Sequence, residues 1–183
     1  MSMYSVMVNF LRKFMKASTI YKYGFNWSPM YRRTTARIIA VSDDLYTVRV
    51  KIPYSYKNKN YVGSIFGGSL FAALDPILMI QGMNILGDNY IVWDKAATIR
   101  FKRPARENVF ADFILSQAEI DEIKEKVKEN GEYDFHKTIK ITNAEGTIVY
   151  CEVDKVLYCA DKTFYKEKTE KRKALRATHP NEK

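Results

Sequence analysis

Histidine is nearly missing from this chain: His136 and His179 are the only two among 183 residues. One falls in an expected strand and the other near the C-terminal end, so a Ser-His-Asp or Cys-His catalytic arrangement is not expected. Cysteine is equally scarce. Cys151 and Cys159 stand eight positions apart on what reads as one strand, about 26 Å along it at 3.3 Å per residue, too far to bridge each other. A disulfide scaffold is thereby excluded. A reducing, cytoplasmic setting is the expectation, consistent with an N-terminus that has no secretory pattern. CxxC and HxxxH spacings are both absent, so no zinc site is expected. Gly63, Gly67 and Gly68 fit neither the P-loop nor the nucleophile elbow.

Acidic residues are missing altogether from residues 1–37, which hold seven basic ones, and residues 162–183 hold eight basic against three acidic. The formal net charge of +9 therefore belongs to the two ends, and the body over 38–161 carries −3. Nucleic-acid binding is not expected from such a distribution, because no basic face is built into the body. With 46% hydrophobic and 28% charged residues, the chain has the make-up of one globular domain able to bury its own core.

Residues 4–16 place Met7, Phe10, Leu11, Phe14 and Met15 at mostly helical spacing, with Arg12, Lys13 and Lys16 off that face. This amphipathic helix is expected to pack on the body, with a peripheral membrane contact or a basic organelle-targeting segment as the alternatives. Gly24 and Pro29 then read as breaks. From Ala36 the period becomes that of strands: two β-branched runs around Ser42-Asp43-Asp44 suggest a hairpin, and further half-buried strands are expected over 91–102, 109–116, 133–142 and 146–159. Ser116 with Glu119 fits a capping box, Ile120, Ile123 and Val127 form an apolar stripe, and Gly131 supplies a stop, so a surface helix follows Ser116. The chain divides into an N-terminal amphipathic helix and linker over 1–35, a domain over 36–161, and a basic, flexible tail over 162–183.

Residues 65–86 (IFGGSLFAALDPILMIQGMNIL) are apolar nearly all round. A bilayer span is rejected because Asp75 at its centre costs roughly 2.5–3.5 kcal/mol on insertion scales, with Pro76, Gln81 and Asn84 adding to it. The remaining way to bury such a helix is to wrap an antiparallel sheet around it, which makes the fold class α+β. Glycines at its start let a ligand approach the backbone, and the free N–H groups there would face that ligand. Asp75 lies seven residues beyond Gly68, nearly on the same face and about 10.5 Å down the axis. One substrate group cannot touch both in one chain, whereas two copies packed antiparallel bring Asp75 of one to Gly68 of the other. Equally open are a structural Asp75 holding a buried donor and glycines that merely allow a tight helix start.

The stretch Asn60-Tyr-Val-Gly63-Ser-Ile-Phe66-Gly67-Gly68, with Asp75 seven residues later, resembles the hot-dog fold acyl-CoA thioesterases of the phenylacetate-pathway type, whose pattern is Asn-x-x-Gly-x-x-His-Gly-Gly followed by Asp. The strand ending in Arg103-Pro104-Ala105 continues the similarity, which covers about residues 36–160 and is nearest to an uncharacterised thioesterase-like branch with FGGSL and Asp-Pro in the helix. The resemblance implies a curved antiparallel sheet around a long central helix, and a homodimer, alone or paired into a tetramer. It implies Asp75 as general base or nucleophile, Asn60 orienting the water or the carbonyl, and the Gly68 N–H polarising the thioester, with Gly67 beside it. No cofactor is implied; coenzyme A enters as part of the substrate. Arg100, Lys102, Arg103 and Arg106 are candidates for its phosphates. This chain departs from the pattern at Phe66, where the family has histidine, and at Asp94, where relatives have a water-positioning Ser or Thr. Pro76 predicts a kink beside Asp75. A non-catalytic acyl-CoA or lipid-binding module is the alternative reading.

Overall fold

The computed structural model describes Leu11 and residues 14–178. Most of the expected helix over 4–16 lies outside these residues. Helix α1 (Ala17–Trp27) and the single turn α2 (Pro29–Arg32) precede a hairpin of β1 (Arg37–Val41) and β2 (Thr47–Ile52). Helix α3 (Gly67–Leu86) follows, then β3 (Tyr90–Phe101), β4 (Val109–Ile114), α4 (Gln117–Asn130), β5 (Glu132–Thr142), β6 (Val149–Asp161) and α5 (Lys162–Thr178). The six strands form one sheet in the order β1-β2-β4-β5-β6-β3, antiparallel throughout. It curves around α3, which is the hot-dog arrangement. By length and composition α3 is long and apolar enough to cross a membrane, yet Leu70, Ala73, Leu74, Ile77 and Leu78 are buried in the core.

The break after α1 comes later than Gly24 predicts. Gly24 sits inside the helix, and the chain turns at Ser28, whose ψ of 127° is the extended conformation required before Pro29. Pro29 then opens the next turn, where its missing N–H costs nothing. The bend delivers Tyr21, Phe25 and Tyr31 into the same core as α3. These residues therefore pack as part of the body.

Helix α3 runs unbroken through Pro76. Proline removes one helical N–H and crowds the preceding turn, and three carbonyls around it accept donors from elsewhere in the fold. Tyr31 Oη donates to Ala73 O (3.0 Å), Tyr21 Oη to Ile77 O (2.9 Å), and Lys155 Nζ to Asp75 O. Burial raises both phenols, so they remain protonated donors.

Helix α4 begins with the capping box at Ser116 and Glu119 and ends at Gly131 in the left-handed conformation, as the sequence predicts. The C-terminal segment differs from expectation. Asp161 accepts from the N–H groups of Thr163 and Phe164 (2.8 and 3.0 Å) and so caps α5. Phe164 packs over Gly131, Tyr165 lies 6.1 Å from Tyr158, and Lys168 pairs with Glu132 at 2.5 Å. A cap and one apolar side suffice to order a segment whose composition alone reads as a flexible tail.

Candidate functional site

The sequence candidates fall into two groups on either side of the first two turns of α3. The first surrounds the helix start. The Asn60 side chain is spent on its own loop: Oδ1 accepts from the N–H groups of Val62 and Ser64 (3.1 and 3.0 Å), and Nδ2 donates to Ser64 Oγ at 3.0 Å. That turn brings Phe66 to the N-cap of α3. Asn60, Gly67, Leu70, Phe101, Arg103 and Ala105 line a cavity of about 360 Å³. Two phenyl rings lie over the glycines. A Cβ on Gly67 would stand 2.7 Å from Phe101 Cζ, and one on Gly68 would stand 2.4 Å from Phe66 Cε1. The glycines thus provide close ring approach as well as a free helix start. Phe66 itself is 57% exposed.

Of the four proposed phosphate ligands, Arg100 and Lys102 are engaged by carboxylates. Arg100 lies 2.5 Å from Asp154 and Lys102 lies 3.0 Å from Glu152. Arg103 borders the cavity, and Arg106 is exposed in the loop after β3. These two have no carboxylate partner among the described residues.

The second group surrounds a residue that sequence reasoning passed over. Lys155 on β6 is 1% exposed. Its ammonium lies 2.7 Å from Asp94 Oδ1 on β3 and 3.7 Å from Asp75 Oδ1 on α3, and it donates to the main-chain oxygen of Asp75. Three oxygens thus surround the ammonium, and the main-chain oxygen of Asp75 takes its hydrogen bond. Asp94 faces inward in step with Val92, and an irregularity in the β3–β6 register between Asp94 and Ala96 then passes the inward set to Ala97, Ile99 and Phe101. Burial raises the Asp94 carboxyl, and the Lys155 ammonium opposes that shift. The Asp75 carboxylate remains about half exposed, at 52%. The signal for Lys155 was present in the pattern: Cys151, Val153, Leu157 and Cys159 are the inward residues of β6, and a lysine occupies the one position between them that completes the alternation. An inward lysine needs anionic partners.

Both groups open toward β3. This strand forms one edge of the sheet, and Ala97 and Phe101, though on the side facing α3, are exposed. Among the described residues no three His, Cys, Asp or Glu side chains are grouped to hold a metal ion.

This architecture places the chain among hot-dog fold proteins. A probable thioesterase from Pseudomonas aeruginosa (PA5026) superimposes with a TM-score of 0.64 at 20% identity, over 78% of this chain and 95% of the other. The protein OLEI01261, of unknown function, from Chlorobaculum tepidum TLS aligns with a TM-score of 0.63 at 14% identity, over 79% and 94% of the two chains. The thioesterase HI1161 from Haemophilus influenzae gives 0.54 at 16% identity, over 75% and 87%. No curated protein matches the sequence. The chain belongs to the DUF4442 family, a domain of unknown function, whose model matches residues 18–158.

Proposed function

We propose that this protein hydrolyses an acyl-CoA, or a related acyl thioester, at a site completed by two copies of the chain. The observation that carries this reading is the placement of Asp75, half exposed beside an open sheet edge and seven residues down the helix from the free N–H group of Gly68. A twelve-residue edge strand with exposed Trp93, Ala97 and Phe101 is a surface that folded proteins normally cover. A second β3 pairing there about a twofold would bring each Asp75 to the partner's helix start.

In that arrangement the thioester carbonyl oxygen points at the Gly68 N–H. Asp75 takes a proton from water as the water oxygen bonds to the carbonyl carbon, and the oxyanion forms against the helix start. Collapse breaks the C–S bond, and the departing thiolate recovers the proton from Asp75. One such N–H donor is worth about 2.7–4 kcal/mol to the transition state in hydrolases. Asp75 acting instead as nucleophile uses the same geometry. The acyl chain would run along the apolar side of α3, and Arg103 and Arg106 are the cations free to meet coenzyme A phosphates.

Phe66 favours a second reading. At the position where the resembling family has histidine it offers no proton and no hydrogen bond, which suits a protein that binds acyl-CoA without cleaving it. The test is a panel of short, long and aromatic acyl-CoAs with detection of released thiol, together with the mass of the protein in solution. Hydrolysis requires thiol release from at least one substrate and a particle of at least twice the 21.3 kDa chain mass. Saturable acyl-CoA binding without thiol release selects the second reading.

A further inference from the structure

Lys155 is the most deeply buried charge among the described residues, and nothing in a plain sheet-and-helix core requires it. Replacing it by an apolar residue would remove the desolvation cost of an ammonium and of its partners. Its surroundings show how that cost is met. Asp75 faces it from α3, Asp94 from β3, and Lys137 stands opposite it on β5, turned instead to Glu119 on α4 at 2.5 Å. Val153 and Leu157, its inward neighbours on β6, are apolar. The ammonium is therefore shared between Asp75 and Asp94, and Lys137 has its own partner.

The sharing is unequal in a way that bears on chemistry. A buried cation bound tightly to a single carboxylate makes that carboxylate a poor base. Here the short contact, 2.7 Å, goes to Asp94, whose side chain is the more buried of the two. The Asp75 carboxylate is held at 3.7 Å, while its main-chain oxygen receives the hydrogen bond. Pro76 follows immediately, in the turn where the helix has lost an internal bond. The lysine thus fixes the backbone under Asp75 and leaves the carboxylate itself available.

We propose that Lys155 is the positioning residue of this site and that Asp94 is its counter-ion, holding the ammonium so that Asp75 is aimed without being neutralised. This rests on the reading of Asp75 as the base. It also assigns Asp94 a task different from the water-positioning hydroxyl that its place in the strand suggests.

The test uses the full chain with Lys155→Met, Lys155→Arg and Asp94→Asn, each shown to be folded by its melting transition. On a thioester that the wild type cleaves, Lys155→Met is expected to lower kcat about 10²-fold, the penalty of misplacing a reacting group by an ångström, with KM changed less than about threefold. Lys155→Arg is expected to recover part of that loss. Asp94→Asn should shift the acid limb of the kcat profile to lower pH, because the ammonium then falls wholly to Asp75. A Lys155→Met variant that folds and keeps wild-type kcat overturns the proposal.

A second readout does not depend on activity. The ¹⁵N ammonium signal of Lys155 should be protected from solvent exchange in the wild type and lose protection in Asp94→Asn, and amide exchange over residues 72–79 should quicken in Lys155→Met. Should the wild type cleave no thioester, the hydrolase reading fails by itself. These exchange measurements then still decide the placement: an ammonium exchanging like a surface lysine overturns it.

Discussion

The ring of Phe66 lies over Gly68 so closely that a single methyl group on the glycine would meet Cε1 at 2.4 Å. Helix start and exposed ring are one unit, and they respond to substitution together. In the wild-type background Gly68→Ala gains helix propensity but must push the ring aside. With Phe66→Ala already made, the same change should stabilise by up to about 1 kcal/mol. A double-mutant cycle by urea unfolding measures the difference, and additive effects would show that the ring does not occupy this place.

Gly131 presents the opposite case, because nothing there can give way cheaply. Its φ is +79°, and a Cβ would stand 2.3 Å from the Phe164 ring that anchors α5. Gly131→Ala is expected to cost about 1–2 kcal/mol from the backbone alone. Phe164→Ala in the same chain should relieve only the clash. Unfolding curves of the three variants check this, and a neutral Gly131→Ala would contradict it.

Burial pushes the thiols of Cys151 and Cys159 up, to about 11 and about 12. Neither should react with Ellman's reagent at pH 8 in the folded protein, and both should react on unfolding in guanidinium. A released-thiol assay on this protein is accordingly free of background from its own cysteines. Rapid labelling of the native chain would place a thiol at the surface.

Asp94 gives stability a pH dependence of defined sign. Burial raises its carboxyl above the ordinary 3.8 despite Lys155, so over that window the folded chain binds more protons than the unfolded one. Stability due to this group is then full below about pH 3.8 and is lost as pH rises through the folded value. The unfolding free energy of the wild type, minus that of Asp94→Asn, should fall with rising pH and level off once Asp94 is ionised. A difference that rises over the same range contradicts the burial-dominated environment.

Much of this molecule was legible in the order of its residues. The alternation of Val48, Val50 and Ile52, the box at Ser116 and Glu119, and an all-round apolar segment too polar at Asp75 for a bilayer specify sheet, surface helix and buried helix from local chemistry. The less legible parts depend on partners distant in sequence. Tyr21 and Tyr31 look like ordinary helix aromatics until their hydroxyls reach the carbonyls beside Pro76. Phe164 looks like part of a polar tail until Gly131 makes room for it. Asn60 matches a substrate-facing position by sequence, yet its side chain is bonded within its own loop. Lys155 was hidden differently: its inward register was on view, but only the curvature of the sheet around α3 sets Asp75 and Asp94 on either side of it.

In the proposed hydrolysis Asp75 is the group that acts on the thioester. The measurement that tests it most directly is the rate of thiol release from the best acyl-CoA of the panel by the wild type and by Asp75→Ala, at equal protein concentration and with both shown to be dimers. Loss of a general base is expected to lower kcat by about 10²–10⁴-fold with the melting temperature little changed. Wild-type rates from Asp75→Ala would contradict the account.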